Sequence, residues 1–287
     1  MATADQSDFS LDFLSGDIFK AAEAESQSYL TGPYAVLRVD GKGFSSLTKS
    51  AGYAVPYDLG FMASMDEAAK ALLKLVDGSI FAYAQSDEIS VAFKCSGPPV
   101  DRNWWFGGKV QKIASLTAAR ASLSFLRAEL TRLGEFSLDP LFDSRVISLE
   151  SEEAVEQYLR WRRFDAQKNS ISMAASSLFS HRELDSVSSK DRAAMLQGTE
   201  LERLPDGFFN GRLHYRASTM LKAWEPIRGS EVDVQRTVHR SEPADRATVE
   251  RVLPELLRSK IYGKDTSALS ISEAFDRGYR LDLDSVE

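Results

Sequence analysis

The chain has 287 residues, 43% hydrophobic and 27% charged, with a formal net charge of −7. That balance suits a globular protein with a substantial core and excludes indiscriminate nucleic-acid binding over the whole surface, while leaving room for local basic patches. Cys95 is the sole cysteine, so no intrachain disulfide can form and a reducing compartment is expected.

In chain order, residues 1–15 read as a lead-in without the basic-then-apolar pattern of a signal peptide. Residues 16–30 have the composition of a helix, closed by Gly32-Pro33. Tyr34-Ala-Val-Leu-Arg-Val39 is a strand that runs into Asp40-Gly41-Lys42-Gly43-Phe44. From Asp58, a natural N-cap, apolar residues Leu59, Met62, Met65, Ala69, Leu72, Leu73 and Val76 recur at helical spacing. Two further strands, Ser79–Ala84 and Ile89–Phe93, are joined by Gln85-Ser86-Asp87-Glu88 as a hairpin. After Gly97-Pro98-Pro99, a long helix is predicted from Trp104 to Arg132 with Ile113, Leu116, Ala119, Leu123 and Leu126 turned inward. Leu141–Ser148 is a fourth strand carrying Asp143 and Arg145. Ser151-Glu152-Glu153 opens a helix that carries Arg160, Trp161, Arg162 and Arg163 and continues through Asn169 towards Phe179. A short helix begins at Ser188, Phe208–Trp224 reads as a hairpin or extended pair, and residues 229–287 are polar and poorly patterned apart from a helix near Asp245–Arg258. No run is long enough to cross a bilayer, and the cytoplasm is the expected location.

The order strand, helix, strand, strand, helix, strand is that of an α+β, ferredoxin-like split βαβ fold. It predicts a core over 31–150, preceded by a lead-in and helix (1–30), then a helical and hairpin portion (151–228) and a C-terminal extension (229–287), and it is the resemblance given below that makes 31–150 a catalytic palm. If the first strand and the hairpin are neighbours, Asp40 and Asp87 meet at one edge of the sheet. Two carboxylates that close repel unless a cation lies between them, and oxygen ligands beside phosphate suit Mg²⁺. Asp-Gly and Ser-Asp-Glu are also common solvated turns, so it is their framing by buried strands that gives them weight. Lys42 with Gly41 and Gly43 could cradle a phosphate. Lys109 and Lys112 share a helical face that is equally a solvated basic surface, and the arginines at 160–163 fit either RNA contact or ordinary salt bridging.

Val39-Asp40-Gly41-Lys42-Gly43-Phe44, Ser86-Asp87-Glu88, Phe142-Asp143-Ser144-Arg145-Val146 and Trp161-Arg162-Arg163-Phe164-Asp165 with Asn169 stand together in one family. From about residue 30 to 225 the chain resembles the tRNA-histidine guanylyltransferase superfamily, closest to its bacterial-type branch of Thg1-like 3′–5′ polymerases. The resemblance implies a polymerase-like palm that adds nucleotides to the 5′ end of tRNA, after ATP or GTP activates the 5′ phosphate. It implies two Mg²⁺ ions held by Asp40, the Gly41 carbonyl and Asp87, with Glu88 a further essential acid. It places the nucleotide along Asp40, Gly41, Lys42, Gly43, Phe44, Ser45, Ser86 and Asp87, with positive charge from Arg38, Lys109, Lys112 and Arg145. Arg160, Arg162, Arg163 and Asn169 would contact tRNA, and the assembly would be a homotetramer, a dimer of dimers. The family's His-Ile-Asn-Asn-Leu-Tyr-Asn motif reads Gln167-Lys-Asn-Ser-Ile-Ser-Met173 here, and Val55 and Ala217 replace family lysines. Repair of 5′-truncated tRNA therefore fits better than obligatory guanylylation of tRNA-His. The rival expectations are a palm-fold nucleotide or diguanylate cyclase, which needs no RNA, and a non-catalytic RNA-binding relative.

Overall fold

Alternation along the strands decides which side of the protein each residue serves. The computed structural model describes residues 9–24, 28–96, 103–136, 138–225 and 230–258. Strands β1 (Tyr34–Gly41), β2 (Ser79–Gln85), β3 (Glu88–Lys94), β4 (Phe142–Leu149), β5 (Arg212–Glu225) and β6 (Ser230–Pro243) form one sheet in the order β4-β1-β3-β2-β5-β6. Every pairing is antiparallel. The run β4-β1-β3-β2 has the ferredoxin-like order, and β5 and β6 extend it beyond β2.

Odd-numbered Leu37, Val39, Ile89, Val91 and Phe93, with Ala82 and Ala84, face a core completed by α3 (Leu59–Leu75) and α4 (Val110–Leu133). Val36, Ala92, Phe81 and Tyr83 face the other way, onto a second core. Phe19 of α1 (Phe9–Ala24), Tyr158 and Trp161 of α5 (Glu152–Leu178), and Val252 and Leu256 of α8 (Arg246–Arg258) cover that side. Each fully buried Leu, Val or Phe contributes roughly 1.5–3 kcal/mol, so both layers are held chiefly by apolar burial. The short helices α2 (Phe44–Ser50), α6 (Ser189–Met195) and α7 (Asp206–Asn210) fill the connections. Side-chain caps start the helices where the sequence predicts them. Asp58 accepts from Phe61 N at 2.9 Å, Ser151 from Ala154 N at 3.2 Å and Ser188 from Asp191 N at 3.2 Å.

The inner face of α4 departs from expectation. Its buried residues are Ile113, Thr117, Ala121, Phe125 and Glu129, whereas Leu116 and Leu123 are 39% and 64% exposed. The polar inward residues are satisfied: Thr117 hydrogen-bonds the Ile113 carbonyl and lies 2.9 Å from Ser144 Oγ, and Glu129 accepts from Ser64 and Arg132. A short 3-10 turn, Trp105–Gly108, precedes the helix, because Phe106 and Gly107 adopt positive φ and break the regular spiral. The first helix is also displaced: α1 begins at Phe9, inside the expected lead-in, and ends at Ala24. Residues 25–27, the end of the expected 16–30 helix, lie outside the described residues. The hairpin is displaced too, since Phe208 belongs to α7 and both arms of the hairpin are β5 and β6. Residues 230–243, expected to be poorly patterned, are thus a full-length strand. Asp245 caps α8 through Thr248 N at 2.7 Å, as its position suggested.

On the α3 side, Asp66 receives Arg212 Nε at 2.5 Å and lies 3.1 Å from His214 Nε2, tying α3 to β5. The His214 and His239 rings lie 5.5 Å apart across β5 and β6. Among the described residues no helix is long and apolar enough to cross a membrane.

Candidate active site

The period of two that sorts the core also gathers the polar residues. Arg38 and Asp40 of β1, Gln85 of β2 and Glu88 of β3 share the face of Val36 and Ala92. Beyond the apolar part of that face they line a cleft of about 680 Å³, with Ser86 and Asp87 from the turn and Arg145 from β4. α1 contributes Lys20 and Glu23, and α5 contributes Trp161, Arg162, Asp165 and Asn169. That volume is in the range of small-molecule sites.

Asp40 and Asp87 are brought together by backbone geometry. Asp40 is opposite Glu88 in the β1–β3 register, and the Gly41 N–H donates to the Asp87 carbonyl at 3.0 Å. On its other side Asp40 is opposite Asp143. Gly41 has no room for a side chain, since a Cβ there would lie 2.4 Å from the Phe44 ring. Gly43 turns the chain into α2 at φ 71°, a conformation that costs glycine little. Burial raises the Asp40 carboxyl above its ordinary pKa, with Glu88 and Asp143 adding to the effect and Arg38 opposing it. Burial, then the Asp40 charge, pushes Asp87 up to about 6. The pair is therefore an electrostatically loaded site in which a divalent cation would relieve repulsion, and its hard oxygens suit Mg²⁺. Among the described residues no group of three or more His, Cys, Asp or Glu forms a ready-made metal cluster. Asp40, Asp87 and a peptide carbonyl are what the chain offers.

Glu88 is committed elsewhere. Its carboxylate receives Arg162 Nε at 2.8 Å and Nη2 at 2.5 Å, and Gln85 Nε2 at 3.2 Å. Arg162 also donates to Asp165 at 2.9 Å. Burial alone would lower the Arg162 pKa, but Glu88, Tyr158 and Asp165 outweigh it and hold the guanidinium firmly charged. Arg38 is gripped by Glu23 at 2.8 Å and lies 3.6 Å from Glu88. Burial raises the Glu23 carboxyl, and the Arg38 and Arg162 charges pull it back. The floor of the cleft is thus a chain of alternating charges, Glu23–Arg38–Glu88–Arg162–Asp165.

The structure divides the other sequence-predicted residues. Asn169 lines the cleft, its amide donating to Asp165 at 3.2 Å. Lys42, Gly43 and Ser45 follow Asp40 into α2, but the Phe44 ring is buried against Phe125 and Phe142. Lys109 and Lys112 are exposed at the start of α4 and do not line the cleft, and Lys112 Nζ lies 4.4 Å over the Phe106 ring. Arg160 is exposed and pairs with Glu156 at 3.3 Å. Arg162 is 4% exposed, and Arg163 Nε donates to the Ala244 carbonyl at 2.5 Å. Sequence reasoning missed Lys20 and Glu23. Their spacing of three beside Phe19 was the available signal, since it puts both on one helix edge next to a residue bound for the core.

The family model described as "Thg1: tRNAHis guanylyltransferase" matches residues 16–150. Probable tRNA(His) guanylyltransferase of Dictyostelium discoideum is 30% identical over 138 residues, 47% of this chain and 52% of that protein. tRNA(His) guanylyltransferase of Saccharomyces cerevisiae is 29% identical over 143 residues, 48% of this chain and 58% of that protein. The chain spans about half the length of the curated relatives it matches. Among solved structures, a bacterial tRNA(His) guanylyltransferase (Thg1)-like protein in complex with ATP is 27% identical at a TM-score of 0.64, covering 82% of this chain and 94% of that one. A bacterial Thg1-like protein in complex with GTP is 25% identical at a TM-score of 0.60, covering 84% and 98%.

Proposed function

We propose that this chain, similar to the Thg1 family model over residues 16–150 and to Thg1-like structures over most of its length, is a nucleotidyltransferase that extends the 5′ end of tRNA in the 3′–5′ direction. The observation that carries the reading is the meeting of Asp40 and Asp87 at the mouth of a cleft with Arg38 and Arg145 in its wall. In this reading Asp40, the Gly41 carbonyl and Asp87 hold divalent cations. Bound there, Mg²⁺ supplies charge neutralisation for an attacking oxygen and for a leaving group. Arg38 and Arg145, with Lys20 at the rim, bind nucleoside triphosphate, consistent with relatives crystallised with ATP and GTP.

The reaction has two parts. A 5′-monophosphorylated tRNA receives a nucleotidyl group from ATP or GTP, releasing pyrophosphate. The 3′-hydroxyl of an incoming triphosphate then attacks the activated 5′ phosphate, forming the new phosphodiester and releasing the nucleoside monophosphate. Glu88 acts here as a positioning residue: clamped by Arg162, it fixes the turn that presents Asp87 and the strand opposite Asp40. Arg160, exposed one residue before the cleft-lining Trp161, is the arginine of the 160–163 cluster most open to tRNA backbone. Lys109 and Lys112 would extend the basic contact away from the cleft. The homotetramer and the cytoplasmic setting implied by the family belong to this proposal as well.

The test is incubation of the full chain with labelled 5′-monophosphate tRNA lacking its first nucleotide, Mg²⁺, ATP and each triphosphate in turn. Growth by one template-matched nucleotide is expected. Cyclic nucleotide formation without RNA would replace this reading with the cyclase.

A further inference from the structure

The cleft has more polar side chains than the proposed chemistry uses. Asp40 and Asp87 are its cation acids, and Arg38 and Arg145 face the triphosphate. Glu88 is filled by Arg162 and Gln85, while Glu23 is held by Arg38 and receives the Tyr158 hydroxyl at 3.4 Å. Asp165 and Asn169 remain. They lie four residues apart on α5, one turn above the other, so both reach the cleft from the same wall.

Their contacts leave them half-used. Among the described residues, Asp165 Oδ2 takes both bonds its carboxylate makes, from Arg162 Nη2 at 2.9 Å and Asn169 Nδ2 at 3.2 Å. Its other oxygen, Oδ1, has no partner there, on a side chain that is 36% exposed. Because the Asn169 amide nitrogen is committed to that carboxylate, the amide oxygen points away from it. The pair thus offers two acceptors, one of them charged, with a spare amide N–H beside them.

Position says what they accept from. Arg162 Nη2 donates to Glu88 at 2.5 Å as well as to Asp165, so the two carboxylates share one nitrogen. Asp165 is therefore two hydrogen bonds from the acid that follows Asp87 in the chain. In a nucleoside triphosphate, the group one ester bond from the phosphates is the ribose. A base edge is a poor match for the pair, because the proposed reaction takes whichever triphosphate the template requires. All of them present the same 2′,3′-diol, whose hydroxyls can each donate to an acceptor. An ionised acceptor makes the stronger of such bonds.

We infer that Asp165 and Asn169 are the ribose-binding pair of this cleft, with Asp165 Oδ1 accepting from the vicinal hydroxyls and Asn169 flanking them. The inference rests on the reading of the cleft as a nucleoside triphosphate site. It gives the second part of the reaction a fixed starting point. The attacking 3′-hydroxyl is held by a side chain that Arg162 anchors to the sheet. It also moves Asn169 from the tRNA surface, where the resemblance puts it, to the nucleotide.

The experiment measures binding of GTP, 2′-deoxy-GTP and 3′-deoxy-GTP to the full chain by isothermal titration calorimetry, with Mg²⁺ and without tRNA. GTP is expected to bind at least about tenfold more tightly than either deoxy form, as the loss of one bond to a charged group implies. ATP is expected to show the same preference over its own deoxy forms. Asn169 is exposed, so Asn169→Ala leaves the fold intact. In that variant and in Asp165→Ala the preference should largely vanish, with binding of the deoxy forms little changed. A pair that only braces Arg162 predicts instead that the variants weaken all forms alike. That result, equal wild-type binding of GTP and its deoxy forms, or a preference confined to one base, overturns the inference. Failure of every triphosphate to bind removes the nucleotide cleft itself, and the inference with it.

Discussion

Asp87 sits in the two-residue turn that reverses the chain between β2 and β3, and its carboxyl is half-buried beside that of Asp40. Two like charges in that setting oppose folding unless something else holds them. Asp87→Asn is therefore expected to raise Tm at neutral pH without metal, while nucleotide addition falls at least a thousandfold. Millimolar Mg²⁺ should raise the wild-type Tm and leave that of the variant unmoved, because a ligand stabilises only the state that binds it. Scanning fluorimetry with and without the ion checks both, and a variant that still responds to Mg²⁺ would remove Asp87 from the cation site. The approach of these two acids was legible in the sequence, since each ends an apolar run of strand length and both runs had to pair. The commitment of Arg162 was not. Three arginines in four residues look alike as composition, and only the phase of α5, which sets Arg162 beside Tyr158 and Asp165, sends that guanidinium inward while Arg160 stays in water.

Beside its apolar packing, helix α5 is fastened to the sheet by a buried, forked ion pair between Arg162 and Glu88. Removing Arg162 leaves the buried Glu88 carboxylate with only Arg38 at 3.6 Å and the Gln85 amide, and breaking a buried pair of this kind costs about 3–5 kcal/mol. Arg162→Ala is thus expected to lose that much stability in urea unfolding and to lose nucleotide addition with it. Arg160→Ala should stay within about 0.5 kcal/mol of wild type, as exposed substitutions generally do. If the two variants unfold at the same urea concentration, the Glu88–Arg162 clamp does not hold this helix. At the level of elements, the helices' existence was legible from caps and spacing, as Asp58, Ser151 and Ser188 illustrate. The face of α4 was not, because its leucines point outward and its inward line includes a threonine and a glutamate. A reading that follows the largest apolar residues picks the wrong side when two apolar stripes share one helix.

Across the whole molecule, β5 and β6 are joined to the rest through the Asp66–Arg212–His214 contact and the short β2–β5 ladder. Burial lowers the His214 pKa from 6.5, Asp66 opposing and Arg212 and Lys70 assisting. Burial, then His214 and Lys70, lowers His239 to about 4, with Glu67 and Asp66 opposing. Both imidazoles thus take up protons more readily unfolded than folded, so stability is full above the unfolded value of 6.5 and falls as the pH drops towards 4. Asp66, whose carboxyl the His214 and Arg212 contacts hold below its ordinary value despite burial, adds its own loss at still lower pH. Tm is expected to decline by several degrees between pH 7 and pH 4.5, and less steeply in His239→Asn; equal slopes in the two proteins would exclude His239 as a contributor. Strand β6 could have been found in the sequence: Val232, Val234 and Val238 alternate with polar residues, but charges at Asp233, Arg236 and Arg240 mask the period. What no local pattern carries is that this hairpin lengthens a sheet begun more than 170 residues earlier.

The 27 unbroken residues of α5 span about 40 Å at 1.5 Å per residue, from the cleft to the helix beyond it. Trp161 and Asn169 serve the cleft near its middle, and Ser172 receives Arg192 of α6 at 3.3 Å. The helix is therefore a ruler with a fixed bearing. One residue inserted between Asn169 and Ser172 would swing the distal part by about 100°, whereas seven would restore its heading to within about 20°. Length changes along that rod should keep its bearing only near whole numbers of turns, such as seven or eleven residues.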